Sequence, residues 1–210
     1  MMVVHDPADH ERGTSVTLLG TLLRNRRPDE RNHAWNQPNL RAPETLEVTS
    51  SDVVNGGSLP RRHAGRRVGG ENVSPHLAWS EPPSGTVELL LVVEDLDAPL
   101  GAYPPVHCLA LVSPTARPTA HELPAGALAR KAPTPEVTLL RSTIGRGYLG
   151  PEPVKGHGPH RYVFQVFALE ASLLARPDAG ALLRSRPRRV LAAVDVPVLA
   201  RGRLTATYER

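Results

Sequence analysis

The stretch from Val87 to Val112, VELLLVVEDLDAPLGAYPPVHCLALV, decides how this chain folds. Two apolar runs flank a short polar segment, a pattern that is typical of two strands joined by a loop. Asp95 and Asp97 lie where the first strand ends, and His107 lies where the second begins. Burying a carboxylate or an imidazole costs free energy unless the group finds a polar partner. The stretch therefore predicts a polar pocket at one end of a β-sheet.

The composition favours one loop-rich β domain with an extension. The 210 residues include 22 prolines and 17 glycines, which suit short strands and turns better than a helical bundle. Only 4% are aromatic, which argues against a stacking platform for single-stranded nucleic acid. The one cysteine, Cys108, excludes an intrachain disulfide and fits a reducing compartment.

The charges are spread along the chain, with a formal net charge of +4. The densest late basic group comprises Arg184, Arg186, Arg188 and Arg189. We interpret it as the solvated face of a helix, and we expect no nucleic-acid partner, because such binding needs a larger basic surface. No run approaches the roughly 20 apolar residues of a membrane span, so no transmembrane segment is expected. The first residues lack the apolar core of a secretory signal, which predicts a cytoplasmic protein.

The chain is predicted to consist of an N-terminal extension, residues 1–43, and one domain, residues 44–210. Residues 1–14 are polar and without pattern, which predicts disorder. Residues 28–43 contain three prolines and are expected to form a linker or a clasp over the domain surface.

A short amphipathic helix is predicted between these two segments, over residues 16–23. Leu19, Leu22 and Leu23 lie there at helical spacing, and several arginines follow. This apolar face could touch an anionic membrane surface. Docking on the domain is favoured, because so short an apolar face gives little membrane affinity.

Seven strands and one helix are predicted in the domain. The strands are Leu46–Thr49, His76–Trp79, Val87–Glu94, Val106–Val112, Val137–Arg141, Tyr162–Leu169 and Val198–Tyr208. A helix is expected to run from the capping residue Asp178 to about Ala193, interrupted at Pro187. Short strands between turn residues, with a helix only near the end, indicate an antiparallel sandwich.

Strand periodicity predicts which side chains meet at the pocket. Alternate residues of a strand share a face, so Asp95 belongs to the inward, apolar face of the first strand. His160 and Tyr162 share a face in the same way. If these strand ends meet His107, the four side chains line one small pocket.

Two histidines in such a pocket favour an anionic ligand. The charge of imidazole is easily set near neutral pH, and a nearby carboxylate such as Asp95 favours the cationic form. His107 and His160 could then donate to a phosphate or carboxylate group. Each histidine could instead only satisfy a buried carbonyl, but Asp95 and a glycine-rich loop lead us to favour the pocket.

That loop, Gly145–Gly156, is expected to form one wall. Gly145–Gly150 matches G-x-G-x-x-G, but a dinucleotide site needs a helix to begin there, and Pro151 and Pro153 argue against one. We interpret the loop as a rigid wall whose glycines let a ligand approach the backbone.

A metal site and nucleophilic catalysis have weaker support. The pocket histidines could bind a metal with Asp95, but His157 lies on a glycine-flanked loop whose direction the sequence does not fix. Cys108 adjoins His107, but neighbours in a strand point to opposite faces. Neither a metal nor a nucleophile is therefore predicted.

In their order, these motifs resemble the phosphatidylethanolamine-binding protein family, also called Raf-kinase-inhibitor-like proteins. The matching motifs are Asn72–Trp79 (NVSPHLAW), Asp95–Pro99 (DLDAP), His107, Gly145–Pro151 (GRGYLGP) and His160–Phe164 (HRYVF). The likeness extends from about Leu46 to Tyr208 and points to the bacterial branch. It implies an all-β dominated fold, an antiparallel Greek-key β-sandwich with a C-terminal helix.

The resemblance also implies a pocket for phosphate-type head groups, with no cofactor. The residues that match the family pocket are Asp95, His107, Gly150, Pro151, Pro153, His160 and Tyr162. Two residues depart from the family pattern. Val154 stands where a second proline is usual, and Cys108 stands where an aromatic residue usually follows the strand histidine.

We therefore expect a non-enzymatic, cytoplasmic binding protein for a small phosphate- or carboxylate-bearing ligand, such as a phospholipid head group, with a role in signalling as a further option. His107, His160 and Tyr162 would donate to the anion, while Asp95 would orient one imidazole.

Two alternatives stay open. One is a small ester or phosphoester hydrolase that uses Asp95 and His107 as an acid–base pair. The other is an interaction module with a vestigial pocket, whose surface binds a kinase, another protein, or a second copy of the chain in a homodimer.

Overall fold

Two antiparallel sheets form the centre of the molecule, which is a computed structural model that describes residues 18–99, 101–114, 121–131 and 133–210. The strands are β1 (Val48–Thr49), β2 (Leu77–Trp79), β3 (Glu88–Asp95), β4 (Val106–Val112), β5 (Glu122–Leu123), β6 (Val137–Leu139), β7 (His160–Leu169) and β8 (Val198–Tyr208). The large sheet has the order β6-β4-β3-β7-β8, and the small sheet has the order β1-β2-β5. The predicted antiparallel sandwich is confirmed, and only the two-residue strand β5 was not predicted.

The helices are short. They are α1 (Leu18–Leu23), α2 (Ala179–Leu182) and α3 (Pro187–Ala192), with 3-10 turns at Glu30–Asn32, Ala34–Asn36, Pro38–Leu40, Arg61–His63, Arg66–Val68 and Leu173–Ala175. The disorder predicted for residues 1–14 lies outside the described residues.

Strand β3 is buried on both faces, which explains its continuous apolar sequence. Leu89 and Leu91 face the small sheet in one core cluster. Leu90 and Val92 face a second cluster, which the C-terminal helices and the segment before β1 complete. The large sheet is thus the middle layer of three.

The single helix predicted near the C-terminus is two helices. α3 begins at Pro187, because proline interrupts a continuing helix but fits the first helical turn. Asp178 occupies the N-cap position of α2, but its carboxylate binds the Arg176 side chain at 2.9 Å instead of a backbone amide. Asp178 is thus the N-cap residue, as predicted, but its side chain makes no capping hydrogen bond.

Residues 28–43 form a clasp on the face of the large sheet opposite the small sheet. Trp35 is buried there, with its ring centroid 5.9 Å from that of Phe167. The guanidinium groups of Arg201 and Arg203 lie 4.0 and 4.4 Å from the centre of the Trp35 ring. Such cation–π contacts hold the clasp to the edge strand β8. The predicted boundary between extension and domain stays a prediction.

Helix α1 docks on the domain through Gly20 and not through Leu19 or Leu22. Leu19 and Leu22 are exposed. Gly20 is buried, and a Cβ added there would lie 2.2 Å from the Lys155 carbonyl oxygen. Only a residue without a side chain allows the two backbones to approach so closely. The helix therefore docks on the domain, in agreement with the expectation, but Leu19 and Leu22 do not make the contact.

A buried carboxylate joins the clasp, the sheet and α3. Glu94 has no solvent exposure and accepts hydrogen bonds from the Ala34 amide and the Gln165 side chain, both at 2.9 Å. Its other oxygen pairs with Arg188 Nη1 at 2.7 Å. The prediction of a solvated basic helix face is therefore wrong for Arg188, which is recruited by the charge of Glu94.

We expect Arg188→Met to lower the free energy of unfolding by about 3 kcal/mol. The change leaves Glu94 buried without its cation, and breaking a buried pair costs about 3–5 kcal/mol. The lower end applies because the Arg188 side chain is 26% exposed. Urea unfolding measures the difference.

The matched control is Arg189→Met, an exposed residue of the same helix, which should change stability by no more than about 0.5 kcal/mol. Equal losses in the two variants would show that the pair with Glu94 contributes nothing specific.

Candidate ligand-binding site

A cavity of about 340 Å³ lies where β3 ends and where β4 and β7 begin. Six of the seven predicted site residues line it: Asp95, His107, Gly150, Pro153, His160 and Tyr162. The seventh, Pro151, is buried but does not line the cavity. Its carbonyl accepts a hydrogen bond from the Gly65 amide at 3.0 Å.

Strand register brings the polar side chains of the cavity together. Asp95 of β3 pairs directly with Tyr162 of β7. His160 lies two residues before Tyr162, and the two rings stack with centroids 6.4 Å apart. The His107 ring meets the Tyr162 ring edge-on at 5.2 Å. The four side chains therefore surround one space.

A β-bulge turns His107 toward this space. The pairing of β4 with β3 shifts by one residue between Val93 and Glu94, and His107 is the extra residue. Cys108 belongs to the same core cluster as Tyr162, and His107 contacts the Tyr162 ring. The two neighbours thus lie on the same side of the sheet. The prediction that they point to opposite faces is wrong, because alternation fails at a bulge.

His107 keeps one ring nitrogen for a ligand. Its Nδ1 donates to the Leu149 carbonyl at 2.7 Å. Burial lowers the pKa of His107 below its ordinary value of 6.5, although Asp95 acts in the opposite direction. The ring is therefore neutral near pH 7, with its hydrogen on Nδ1 and a lone pair on Nε2.

Both ring nitrogens of His160 are already occupied. Nδ1 lies 2.9 Å from Asp95 Oδ2, and Nε2 lies 2.8 Å from Nδ1 of His157. His157 in turn reaches the Leu23 carbonyl with Nε2, at 2.8 Å. His160 cannot donate to an anion without breaking one of these bonds, which corrects the role predicted for it. It holds Asp95 instead.

The Tyr162 hydroxyl is buried and has no hydrogen-bond partner among the described residues. Burial, and after it the Asp95 carboxylate, raises the pKa of Tyr162 above its usual range, so the group stays protonated. Asp95 raises this pKa through its charge and as a nearby acceptor, but the hydroxyl forms no hydrogen bond of normal geometry with it. An unsatisfied buried hydroxyl costs about 1–3 kcal/mol, which a ligand oxygen could remove.

Asp97 positions the loop between β3 and β4 and does not line the cavity. Its amide donates to Asp95 Oδ1 at 2.9 Å, and its carboxylate accepts from Arg161 Nε at 2.8 Å. Burial opposes ionisation, but the Arg161 hydrogen bonds outweigh it and hold the pKa of Asp97 below its usual range. The second aspartate therefore supports the first.

Two glycines of the Gly145–Gly156 loop, Gly147 and Gly150, serve backbone packing. A Cβ on Gly150 would lie 2.3 Å from the His63 carbonyl oxygen, and one on Gly147 would lie 2.9 Å from neighbouring backbone. These glycines admit other segments of the chain rather than a ligand, which corrects the predicted reason for them. No helix follows Gly150, in agreement with the exclusion of a dinucleotide site.

Leu149, Glu152 and Val154 also line the cavity and belong to the loop that was predicted to form one wall. The lining residues that were not predicted are Ala98, Pro99, Pro105, Val106, Thr143 and Ile144. Most are apolar and adjoin the predicted residues in sequence, which is the one signal that could have found them. Thr143 and Ile144 lie outside every motif, and only the folded loop brings them to the cavity.

Two further properties concern metals and membranes. Within the described ranges, no group of three or more His, Cys, Asp or Glu side chains is arranged to hold a metal ion. Over the same ranges, no helix has the length and apolar character needed to cross a membrane.

Comparison with known proteins identifies the family. The sequence model described as phosphatidylethanolamine-binding protein matches residues 49–209. A UPF0098 protein of Aquifex aeolicus is 32% identical over 170 residues, which cover 79% of this chain and 89% of that protein. The Mycobacterium tuberculosis protein named "Putative lipoprotein LppC" is 32% identical over 170 residues, 80% of this chain and 74% of that protein.

A solved structure agrees with this result. The crystal structure of Escherichia coli YbcL, described as a new member of the mammalian PEBP family, is 31% identical and has a TM-score of 0.66. The alignment covers 79% of this chain and 98% of YbcL.

The fold and its cavity define a β-sandwich of the binding-protein class, with a small cavity at the end of the large sheet. The chain belongs to the phosphatidylethanolamine-binding protein family. The resemblance and the fold class expected from the motifs are thus confirmed. The cytoplasmic location stays a prediction.

We expect the free energy of unfolding to fall as the pH is lowered from about 7 to about 5. The pKa of His107 is lowered in the folded protein, so the unfolded chain binds more protons below pH 6.5. One such group changes stability by at most about 1.4 kcal/mol per pH unit. Urea unfolding at several pH values measures the slope.

The variant His107→Gln should make this slope shallower. His33 and His157, whose pKa values burial also lowers, should supply the remaining dependence. An identical slope in the variant would contradict the neutral state assigned to His107.

Proposed function

We propose that this protein binds a small molecule with a phosphate group, such as a phospholipid head group, and catalyses no reaction. The observation that carries the proposal is the buried, unpartnered Tyr162 hydroxyl beside a cavity that His107 also lines. A phosphate oxygen would accept from Tyr162, and a protonated phosphate oxygen would donate to Nε2 of His107. Membership in a family described as phosphatidylethanolamine-binding supports this class of ligand.

The size and lining of the cavity support a ligand of head-group size. A volume of about 340 Å³ lies at the low end of small-molecule sites, which range from roughly 300 to 1,000 Å³. Apolar side chains such as Pro99, Pro105 and Ile144 line part of the cavity. They suit a ligand that carries carbon groups beside its phosphate.

The charged groups of the cavity support a zwitterionic ligand, which carries one positive and one negative group. The Asp95 oxygens already have donors, His160 Nδ1 and the Asp97 amide, so the carboxylate does not face a ligand unpartnered. Glu152 also lines the cavity and accepts a hydrogen bond from the Arg67 amide at 3.3 Å. A carboxylate beside a phosphate-accepting hydroxyl favours a zwitterion such as phosphoethanolamine, whose ammonium group Glu152 would pair with.

The hydrogen bonds of Asp95 and His107 favour binding over hydrolysis. In the hydrolase alternative these two residues would act as an acid–base pair. Asp95 binds His160 and the Asp97 amide, while His107 binds the Leu149 carbonyl. Asp95 and His107 are thus not joined by a hydrogen bond. The neighbouring thiol is not activated either, since burial raises the pKa of Cys108 to about 12.

We expect Tyr162→Phe to weaken phosphoethanolamine binding about tenfold, because one buried hydrogen bond contributes about 1.4 kcal/mol. Isothermal titration calorimetry measures the affinity. Inorganic phosphate should bind more weakly than phosphoethanolamine, and Glu152→Gln should remove this difference.

Tyr148→Phe is the matched control. The Tyr148 hydroxyl is also buried, but it donates to the His63 carbonyl at 3.0 Å and does not line the cavity. Its removal should leave the affinity unchanged. No binding of either compound to the wild-type protein, or equal losses in the two tyrosine variants, would refute the proposal.

A further inference from the structure

The segment before the clasp reaches the rings behind the cavity. Beyond its close approach to Lys155, Gly20 lies against the backbone of His157, where a Cβ would be 2.8 Å from the amide nitrogen. Three residues later, the Leu23 carbonyl lies 2.8 Å from Nε2 of His157. The segment therefore contacts both the backbone and the ring of His157.

Arg27 holds the same segment from its other end. Its Nε pairs with Asp97 at 2.8 Å. Its Nη1 donates to the carbonyls of Arg24 and Arg26, at 2.7 and 2.8 Å. Because Nη1 carries two hydrogens, these carbonyls use both. None remains for Nε2 of His157, although that nitrogen is 3.0 Å away.

The hydrogen on His157 is thereby assigned to Nε2, where it donates to the Leu23 carbonyl. Burial and then the neighbouring His160 lower the pKa of His157, so the ring is neutral and its Nδ1 carries a lone pair. That lone pair accepts a hydrogen from Nε2 of His160.

His160 donates from its other nitrogen to Asp95. With hydrogens on both nitrogens, it is an imidazolium paired with a carboxylate. The charged and titratable groups around the His157 and His160 rings are Asp95 of β3, His107 of β4, Tyr162 of β7, Glu152 of the loop and Arg27.

We propose that residues 18–27, which we call the strap, hold the cavity in its anion-accepting state by fixing both hydrogens on His160. While the strap is docked, the charges of Asp95 and His160 cancel. His157 and the strap act as positioning groups, because they reach the ligand only through His160.

Release of the strap reverses this arrangement. Without the Leu23 carbonyl, His157 can carry its hydrogen on Nδ1 and donate to Nε2 of His160. Nε2 of His160 then accepts this hydrogen and carries none of its own. Asp95 is left as an uncompensated carboxylate, which repels phosphate. The effect on binding rests on the proposed function, whereas the placement of hydrogens does not.

Gly20→Val in the full chain tests the strap, because the new side chain must move α1 away from the loop backbone. Imidazole ¹⁵N NMR at pH 7 should show both nitrogens of His160 protonated in the wild-type protein and an unprotonated Nε2 in the variant. The affinity for phosphoethanolamine, measured by calorimetry, should fall about tenfold in the variant.

Two further variants distinguish an effect of the position of the strap from a general loss of the fold. Leu22→Val changes an exposed residue of the same helix and should alter neither measurement. His157→Phe keeps a ring but offers His160 no acceptor nitrogen. It removes the bond to the Leu23 carbonyl but keeps the backbone contact of Gly20, so it should reproduce the change at His160, and it tests the inference even if Gly20→Val fails to fold.

The outcomes distinguish this inference from the proposed function. A His160 that keeps both hydrogens in Gly20→Val and in His157→Phe would overturn the strap, whatever the affinities. A changed His160 with unchanged phosphoethanolamine affinity would overturn its link to binding. A wild-type protein that binds neither phosphate nor phosphoethanolamine, but whose His160 responds as expected, would uphold the strap and overturn the proposed function.

Discussion

The bond between Asp95 and His160 is the interaction on which the rest of the site depends. A buried carboxylate without a partner costs several kcal/mol, and Asp95 is only 3% exposed. Strand pairing places it opposite Tyr162, and the Asp97 amide and His160 take its oxygens. Since these partners satisfy Asp95, the Tyr162 hydroxyl is left over, and the cavity keeps a donor that the protein itself does not use.

Sequence periodicity could predict the positions of most of these side chains but not all of their partners. Asp95, His160 and Tyr162 lie on regular strands, where the alternation of side chains decides the face. His107 was also predicted to line the pocket. The physical reason differs, because the direction of its side chain depends on a bulge against β3. A bulge is a property of two paired strands, and the alternation within one strand does not contain it.

The fold class could likewise be predicted from short strands and turns, whereas the layer over the outer face could not. Trp35 lies in a polar, proline-containing segment, and Arg188 lies in a basic run, so both resemble surface residues in sequence. Their burial is decided by distant groups, the second core cluster for Trp35 and Glu94 for Arg188. Gly150 is similar, since the backbone that packs on it comes from His63.

The contacts of Trp35 impose an order on folding during synthesis. The Trp35 carbonyl accepts a hydrogen bond from Arg201, which the ribosome adds 166 residues later. At typical translation rates this interval is on the order of ten seconds to half a minute. The segment at 28–43 must wait through that time for β8. The outer apolar face of the nascent sheet stays uncovered meanwhile, so it is the surface that chaperones would hold or that would aggregate.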